Sequence, residues 1–326
     1  MIVLHTPQVT KRRGKTEKQI FAPCLWRKEK GAEFMEYELS AGAAHARATT
    51  LGGELISCTA ADGTAYLWQG DETYWPGHAP LLFPVVGVLL GGKIEIDGQP
   101  YTYARHGFAR RTEFRAAEVT ENRVRFVLQS SEATKALYPY AFTLSVEHEL
   151  RENGFSTRFT VQNDDIKQME FCIGGHPAFY CPLGEGEQFT DYEVQFEAGE
   201  PPVALRVNEQ GLLQRDKAYT VLQNNCLALD YPLFDEDALV FTPVRSRCLL
   251  LHSKKTGRAL QFTFDGFSSL GIWTPPHKQA PFVCLEPWCG MADEPDAAGT
   301  MGQKPGVVRV APGESYTCGY SADVQL

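Results

Sequence analysis

The chain has 326 residues, 43% of them apolar and 22% charged, with a formal net charge of −9. That is the balance of an ordinary soluble globular protein, and its acidity argues against nucleic acid as a partner. No apolar run reaches the ~18 residues that cross a membrane, and the N-terminal stretch lacks the apolar core of about 7–15 residues of a secretory signal. The nine cysteines are an odd number, and none stands in C-x-x-C spacing. They read as free thiols in a reducing compartment, so the expected location is cytoplasmic.

Residues 1–34 stand apart, with eight Lys or Arg against three Glu and no convincing period. They are expected to form a basic, disordered or loosely packed extension. Regular patterning starts at Met35, which is also the expected natural start if the preceding residues come from an upstream translation start. N-terminal sequencing of the native protein tests this.

From Met35 onward the period is two. Ile94-Glu95-Ile96, then Asp97-Gly98, then Tyr101-Thr102-Tyr103 carry the signature of a hairpin. Arg123 to Leu128 reads as a strand. Phe142, Leu144, Val146, His148 and Leu150 alternate, Asn153-Gly154 turns, and Phe155, Thr157, Phe159 and Val161 alternate back. Leu239–Thr242, Cys248–Leu251, Leu260–Phe264 and Leu270–Trp273 continue the series. Helical patterning is short and best at Ser131–Leu137. Many short strands with regular turn signals predict an all-β fold, a large antiparallel β-sandwich, with residues 35–326 as a single domain.

The stretch Phe282-Val283-Cys284-Leu285-Glu286-Pro287-Trp288 carries the sharpest chemical signal. A carboxylate interrupts an apolar run, and the following proline favours an extended backbone and a strand end or edge. Glu286 is therefore expected where a buried strand opens into a cleft beside an indole. Burial there would raise its pKa above the ordinary ~4.3 and suit it to accept a proton near neutrality. The plain alternative is a strand-end glutamate paired with a Lys or Arg.

Two histidines share this kind of context. His106 lies between Arg105 and Gly107, with Arg110 and Arg111 close behind, and His176 follows Gly174-Gly175 and precedes Pro177. His148, alternating with Leu and Val, reads as a core histidine. A glutamate base with a histidine acid can run a proton-transfer reaction. No H-x-x-x-H spacing supports a zinc site, no G-x-S-x-G a serine hydrolase, and no Walker pattern a phosphate loop. A glycoside hydrolase would need a second carboxylate, for which Asp237 is the tempting partner.

The ordered set YLWQGD (66–71), LFPVVG (82–87), RHGFAR (105–110), YPYAF (138–142), GGHPAF (174–179), DALVF (237–241), GIWTPP (271–276) and FVCLEPW (282–288) resembles the aldose 1-epimerase family. Within it, the likeness is to the LacX-type branch of galactose mutarotase-like proteins, over roughly Met35 to Tyr320. The resemblance implies a β-supersandwich with one sugar cleft, interconversion of the anomers of a free aldose, and no metal or cofactor. It implies Glu286 as the base at the C1 hydroxyl, His176 as the acid at the ring oxygen, and His106 as a sugar-binding histidine. Asp237, or nearby Asp235, would hold sugar hydroxyls, Arg110 another hydroxyl, and Trp273 and Phe179 the apolar face, with core packing as the alternative for each aromatic. Many relatives carry an arginine early in the cleft; here Val85-Val86-Gly87-Val88-Leu89 stands there, so that either Arg105 or Arg110 replaces it or the substrate preference differs. The partner is then a small-molecule sugar, with the protein a monomer or homodimer. The competing readings are a hexose-phosphate epimerase, using Arg105, Arg110 and Arg111 on a dianion, and a non-catalytic sugar-binding module.

Overall fold

The structure, a computed structural model, describes residues 24–29 and 32–325. The expected disordered extension falls mainly on residues 1–23, which lie outside the described residues. Of that segment, Cys24–Glu29 pairs antiparallel with Ala32–Ala41, from Cys24 opposite Tyr37 to Glu29 opposite Ala32. The sequence pattern, read from Met35, did not include this hairpin.

Two large antiparallel sheets face each other. The first has thirteen strands, and its centre holds Ala65–Leu67, Ala178–Tyr180, Phe282–Cys289, Ser269–Trp273 and Leu239–Phe241 in that spatial order. The second has nine, with Ala259–Asp265, Ser315–Gln325, Gly154–Asn163 and Phe142–Arg151 at its centre. Period-two sequence produces this directly. In Phe142–Arg151 buried and partly exposed residues alternate, so one face turns to the core and the other to water. The core is aromatic: Phe155 of one sheet stacks on Tyr66 and Phe179 of the other, at ring-centroid distances of 6.2 and 6.4 Å. Rings of this size bury large apolar areas and dominate such cores.

The two predicted hairpins formed for different reasons. Asp97 and Gly98 both adopt positive φ, 51° and 73°, as a tight two-residue turn requires. Gly154, expected in a turn, is instead the first paired residue of its strand, opposite Arg151. A Cβ there would lie 2.2 Å from the Ala322 carbonyl oxygen, so glycine is required by close approach of the neighbouring strand.

His148 is a core histidine. One ring nitrogen lies 2.8 Å from the Gly53 carbonyl oxygen, to which it donates, and the other accepts from the Thr157 hydroxyl at 2.9 Å. Burial holds its pKa down at about 4, so the ring is neutral. No helix among the described residues is long and apolar enough to cross a membrane.

Candidate active site

Phe282–Cys289 is the centre of the first sheet, and all eight of its residues are buried. Pro287 therefore does not end a strand, as its sequence context suggested. On one side it pairs in register with Leu270. On the other, the neighbouring chain is split into two short strands, Ile173–Gly175 and Ala178–Tyr180, which pair with the two ends of Phe282–Cys289. The proline's missing N–H falls opposite this split, where no ladder bond is lost. His176 and Pro177 occupy the split itself, opposite Glu286.

A cavity of about 290 Å³ opens over this point. Glu286, His176, His106, Arg110, Arg105, Asp237, Trp273, Trp75 and Trp288 line it, with Val86, Gly87 and Val88 along one wall. Its floor is the indole of Trp288, bedded between two glycines of flanking strands. A Cβ at Gly271 would lie 2.3 Å from that ring, and one at Gly174 2.6 Å from it.

His176 Nε2 lies 3.2 Å from Glu286 Oε2, with both side chains almost fully buried. Burial, joined by the charge of Asp237 and opposed by Arg105 and Arg110, pushes the Glu286 carboxyl well above the usual carboxylate range. Burial, with the positive charge of Arg110 and then Arg105, depresses His176 to about 3. The two groups lie in direct contact, and the two shifts both favour neutral forms, a protonated carboxyl beside an unprotonated imidazole. His176 is fixed in place: its backbone N–H donates to Pro80 O at 3.1 Å, and its ring stacks on Trp75 at 4.9 Å.

His106 reaches the cavity from a backbone with φ +70°, a strained conformation for a non-glycine residue. Its Nδ1 accepts from the Gly87 N–H at 3.1 Å, which leaves Nε2 as the protonated nitrogen and a hydrogen-bond donor. Burial, reinforced by His176 and the three nearby arginines, keeps the ring neutral. Asp237, also at positive φ, lies 3.4 Å from Arg105 at the cavity's edge. Asp235 pairs instead with His277 at 3.1 Å and does not line the cavity. Trp273 meets the His176 ring edge-on at 5.6 Å.

Phe179 is the one expected site residue that the structure moves elsewhere. It is fully buried, packs between Phe155 and Phe262, and does not line the cavity. In Ala178–Tyr180 the side chains alternate, and Phe179 faces the second sheet while its neighbours face the tryptophans. Phe179→Ala is accordingly expected to cost about 3–5 kcal/mol in denaturant unfolding, with KM for substrate unchanged in the folded fraction.

Sequence reasoning missed Trp75 and the group that holds it. Glu54 Oε1 accepts from the backbone N–H of His78 at 3.0 Å and of Ala79 at 2.9 Å, and His78 Nδ1 lies 3.3 Å away. Trp68 Nε1 donates to Trp75 O at 2.9 Å. These bonds pin the loop that lays Trp75 on His176. The only sequence signal was Pro76-Gly77, a turn marker beside an aromatic. The opposite wall rests on a buried ion pair between Lys304 and Asp293, whose other oxygen accepts from the Leu90 N–H at 2.9 Å. Asp293→Asn would leave the ammonium buried without its counter-charge, and a loss of about 3–5 kcal/mol is expected by thermal or denaturant unfolding.

The fold is an all-β sandwich whose cleft between tryptophans holds a buried carboxylate–imidazole pair. The model of the aldose 1-epimerase family matches residues 35–322, and the chain belongs to that family: it is an epimerase, an isomerase acting on carbohydrate. It is 38% identical to protein LacX of Lactococcus lactis subsp. lactis over 271 residues, which are 81% of this chain and 90% of LacX. Among solved structures, the galactose mutarotase related enzyme of Lactobacillus acidophilus superposes with a TM-score of 0.84 at 28% identity, over 90% of this chain and 98% of that one. A galactose mutarotase-like protein of Lactobacillus casei gives 0.82 at 27%, over 89% of this chain and all of that one. The expected galactose mutarotase-like β-sandwich is the fold observed.

Proposed function

We propose that the protein is an aldose mutarotase that interconverts the α and β anomers of a free aldose, with Glu286 and His176 as its proton-transfer pair. The observation that carries this reading is the direct 3.2 Å contact between the two groups inside the cleft. The resting form, protonated Glu286 with neutral His176, contains the same number of protons as the reactive form, carboxylate with imidazolium. Sugar hydroxyls entering the cleft solvate both charges and favour the second.

Glu286 then takes the proton from the C1 hydroxyl while His176 gives its own to the ring oxygen. The C1–O5 bond breaks, and a carbonyl forms at C1. Rotation about C1–C2 presents the other carbonyl face, and closure reverses both transfers, returning each proton to the group that gave it. His106, with Nε2–H as donor, binds a sugar oxygen; Asp237, Arg110 and Arg105 hold hydroxyls, and Trp75 and Trp273 give the apolar faces of the ring a surface. Acid–base groups suffice for this, so the reading needs no metal or cofactor. It places the protein in the cytoplasm, where its free thiols stay reduced.

A hexose-phosphate substrate would call on Arg105 at the mouth. Arg105 is turned onto Asp237, and two carboxylates share the cleft. Both features favour a neutral sugar. A pure binding module does not need two groups poised to exchange a proton.

Polarimetry on freshly dissolved α-D-glucose and α-D-galactose tests the proposal. Accelerated decay of rotation is expected with either or both. No acceleration of either free sugar or of glucose 6-phosphate would leave a binding module.

A further inference from the structure

The catalytic pair has a third neighbour that the proposed reaction does not use. Cys284 lies two residues before Glu286 on the same strand, so both side chains leave the same face of the sheet. A ring nitrogen of His176, the Cys284 sulfur and a Glu286 carboxylate oxygen all lie within 4.8 Å of one another, and all three residues are buried. Cys284 itself packs just beneath the cavity, among Trp68, Ala178 and Phe282 and against Trp75 and Trp273.

We propose that these three atoms form a reversible inhibitory site for zinc. The donor set is one that zinc accepts, a thiolate, an imidazole and a carboxylate. Zinc bonds of about 2.0–2.3 Å place tetrahedral donors roughly 3.3–3.8 Å apart. The His176–Glu286 pair, at 3.2 Å, is close to that spacing, and the thiol must draw in by up to about 1.3 Å. His176 and Glu286 line the cavity, which supplies the entry path. On binding, the cation releases to solvent the thiol proton and the carboxyl proton of Glu286.

The surroundings identify an inhibitory ion and not a resident one. A built zinc site orients its histidine through a hydrogen bond at the other ring nitrogen, whereas His176 Nδ1 is buried with no partner among the described residues. Arg105 and Arg110 also line the cavity, and their charge works against a permanent cation. Zinc therefore binds where the aldose must bind, ties up both proton-transfer groups, and leaves when it is chelated.

The inhibitory half of this inference rests on the proposed mutarotation; the binding half does not. Cobalt(II) is the probe for binding, since a thiolate ligand gives it a near-ultraviolet charge-transfer band. The wild type is expected to show that band, and Cys284→Ser and Cys284→Ala are expected to lose it while melting as folded proteins. In polarimetry, zinc is expected to inhibit the wild type reversibly, with saturating aldose protecting. Either Cys284 variant should raise the zinc concentration for half-inhibition at least tenfold. Absence of the cobalt band in the wild type, or equal zinc sensitivity in wild type and both variants, would overturn the site. If the wild type does not accelerate anomer exchange at all, the mutarotase reading fails, and the cobalt band alone decides the metal site.

Discussion

Glu286→Gln is expected to reduce mutarotation by at least the 10²–10⁴-fold typical of a lost general base, while leaving the protein folded. Glutamine keeps the shape of the side chain on its central strand but cannot take a proton from the C1 hydroxyl. The substitution should also raise the melting temperature in mildly alkaline buffer. The sign follows from the raised carboxyl. In the unfolded chain Glu286 ionises at the ordinary glutamate value, whereas in the folded chain burial delays ionisation to a higher pH. The stabilisation from holding the neutral acid is complete below the unfolded value and is lost as pH rises towards the folded one. Beyond that, the folded protein carries a buried charge that glutamine does not have. A variant that is inactive and more heat-resistant at pH 8 fits the assignment; near-normal turnover would remove Glu286 from the reaction.

His176→Asn is expected to lower kcat by about 10²–10⁴-fold, and its pH profile separates a lost acid from a merely disturbed cleft. In the wild type the pair holds its one useful proton between the depressed value of His176, about 3, and the raised value of Glu286. Activity should be flat across that window, falling in acid as the pair gains a second proton and in alkali as it loses the first. With asparagine at 176 the remaining rate depends on ionised Glu286 alone. The profile should then become a single limb that rises with pH. An unchanged profile at reduced amplitude would make His176 structural.

Much of this was legible in the sequence because the signals were local. Period two fixed the strand faces, and a carboxylate breaking an apolar run marked Glu286. Glycines and a proline around His176 marked it as a loop or strand-end histidine. The misreadings came from effects that sequence spacing does not carry. Phe179 was assigned to the sugar through the family resemblance, with core packing as the alternative, and one step along a strand turns it to the core face. Pro287 looked like a strand end because the split in the neighbouring strand, which excuses its missing N–H, lies more than a hundred residues away. Glu54 holds the Trp75 loop from a distant segment, through the His78 and Ala79 N–H groups, and neither Glu54 nor Trp75 is unusual in its own context. Asp237 and Asp235 were separable only once their partners, Arg105 and His277, were in place.

The bed of Trp288 has a consequence for how substrate range could change in this lineage. Because Gly174 and Gly271 offer no side chain on either flank, nothing nearby can swell to fill the space if the indole shrinks. The size of residue 288 is thus a dial on the depth of the cleft. Turned down to a smaller ring, as in Trp288→Phe, it admits a bulkier sugar face. Turned back, it is checked by glycines that tolerate only the flat indole. Divergence in substrate size should therefore be written at position 288 first, with 174 and 271 free to vary only after it has.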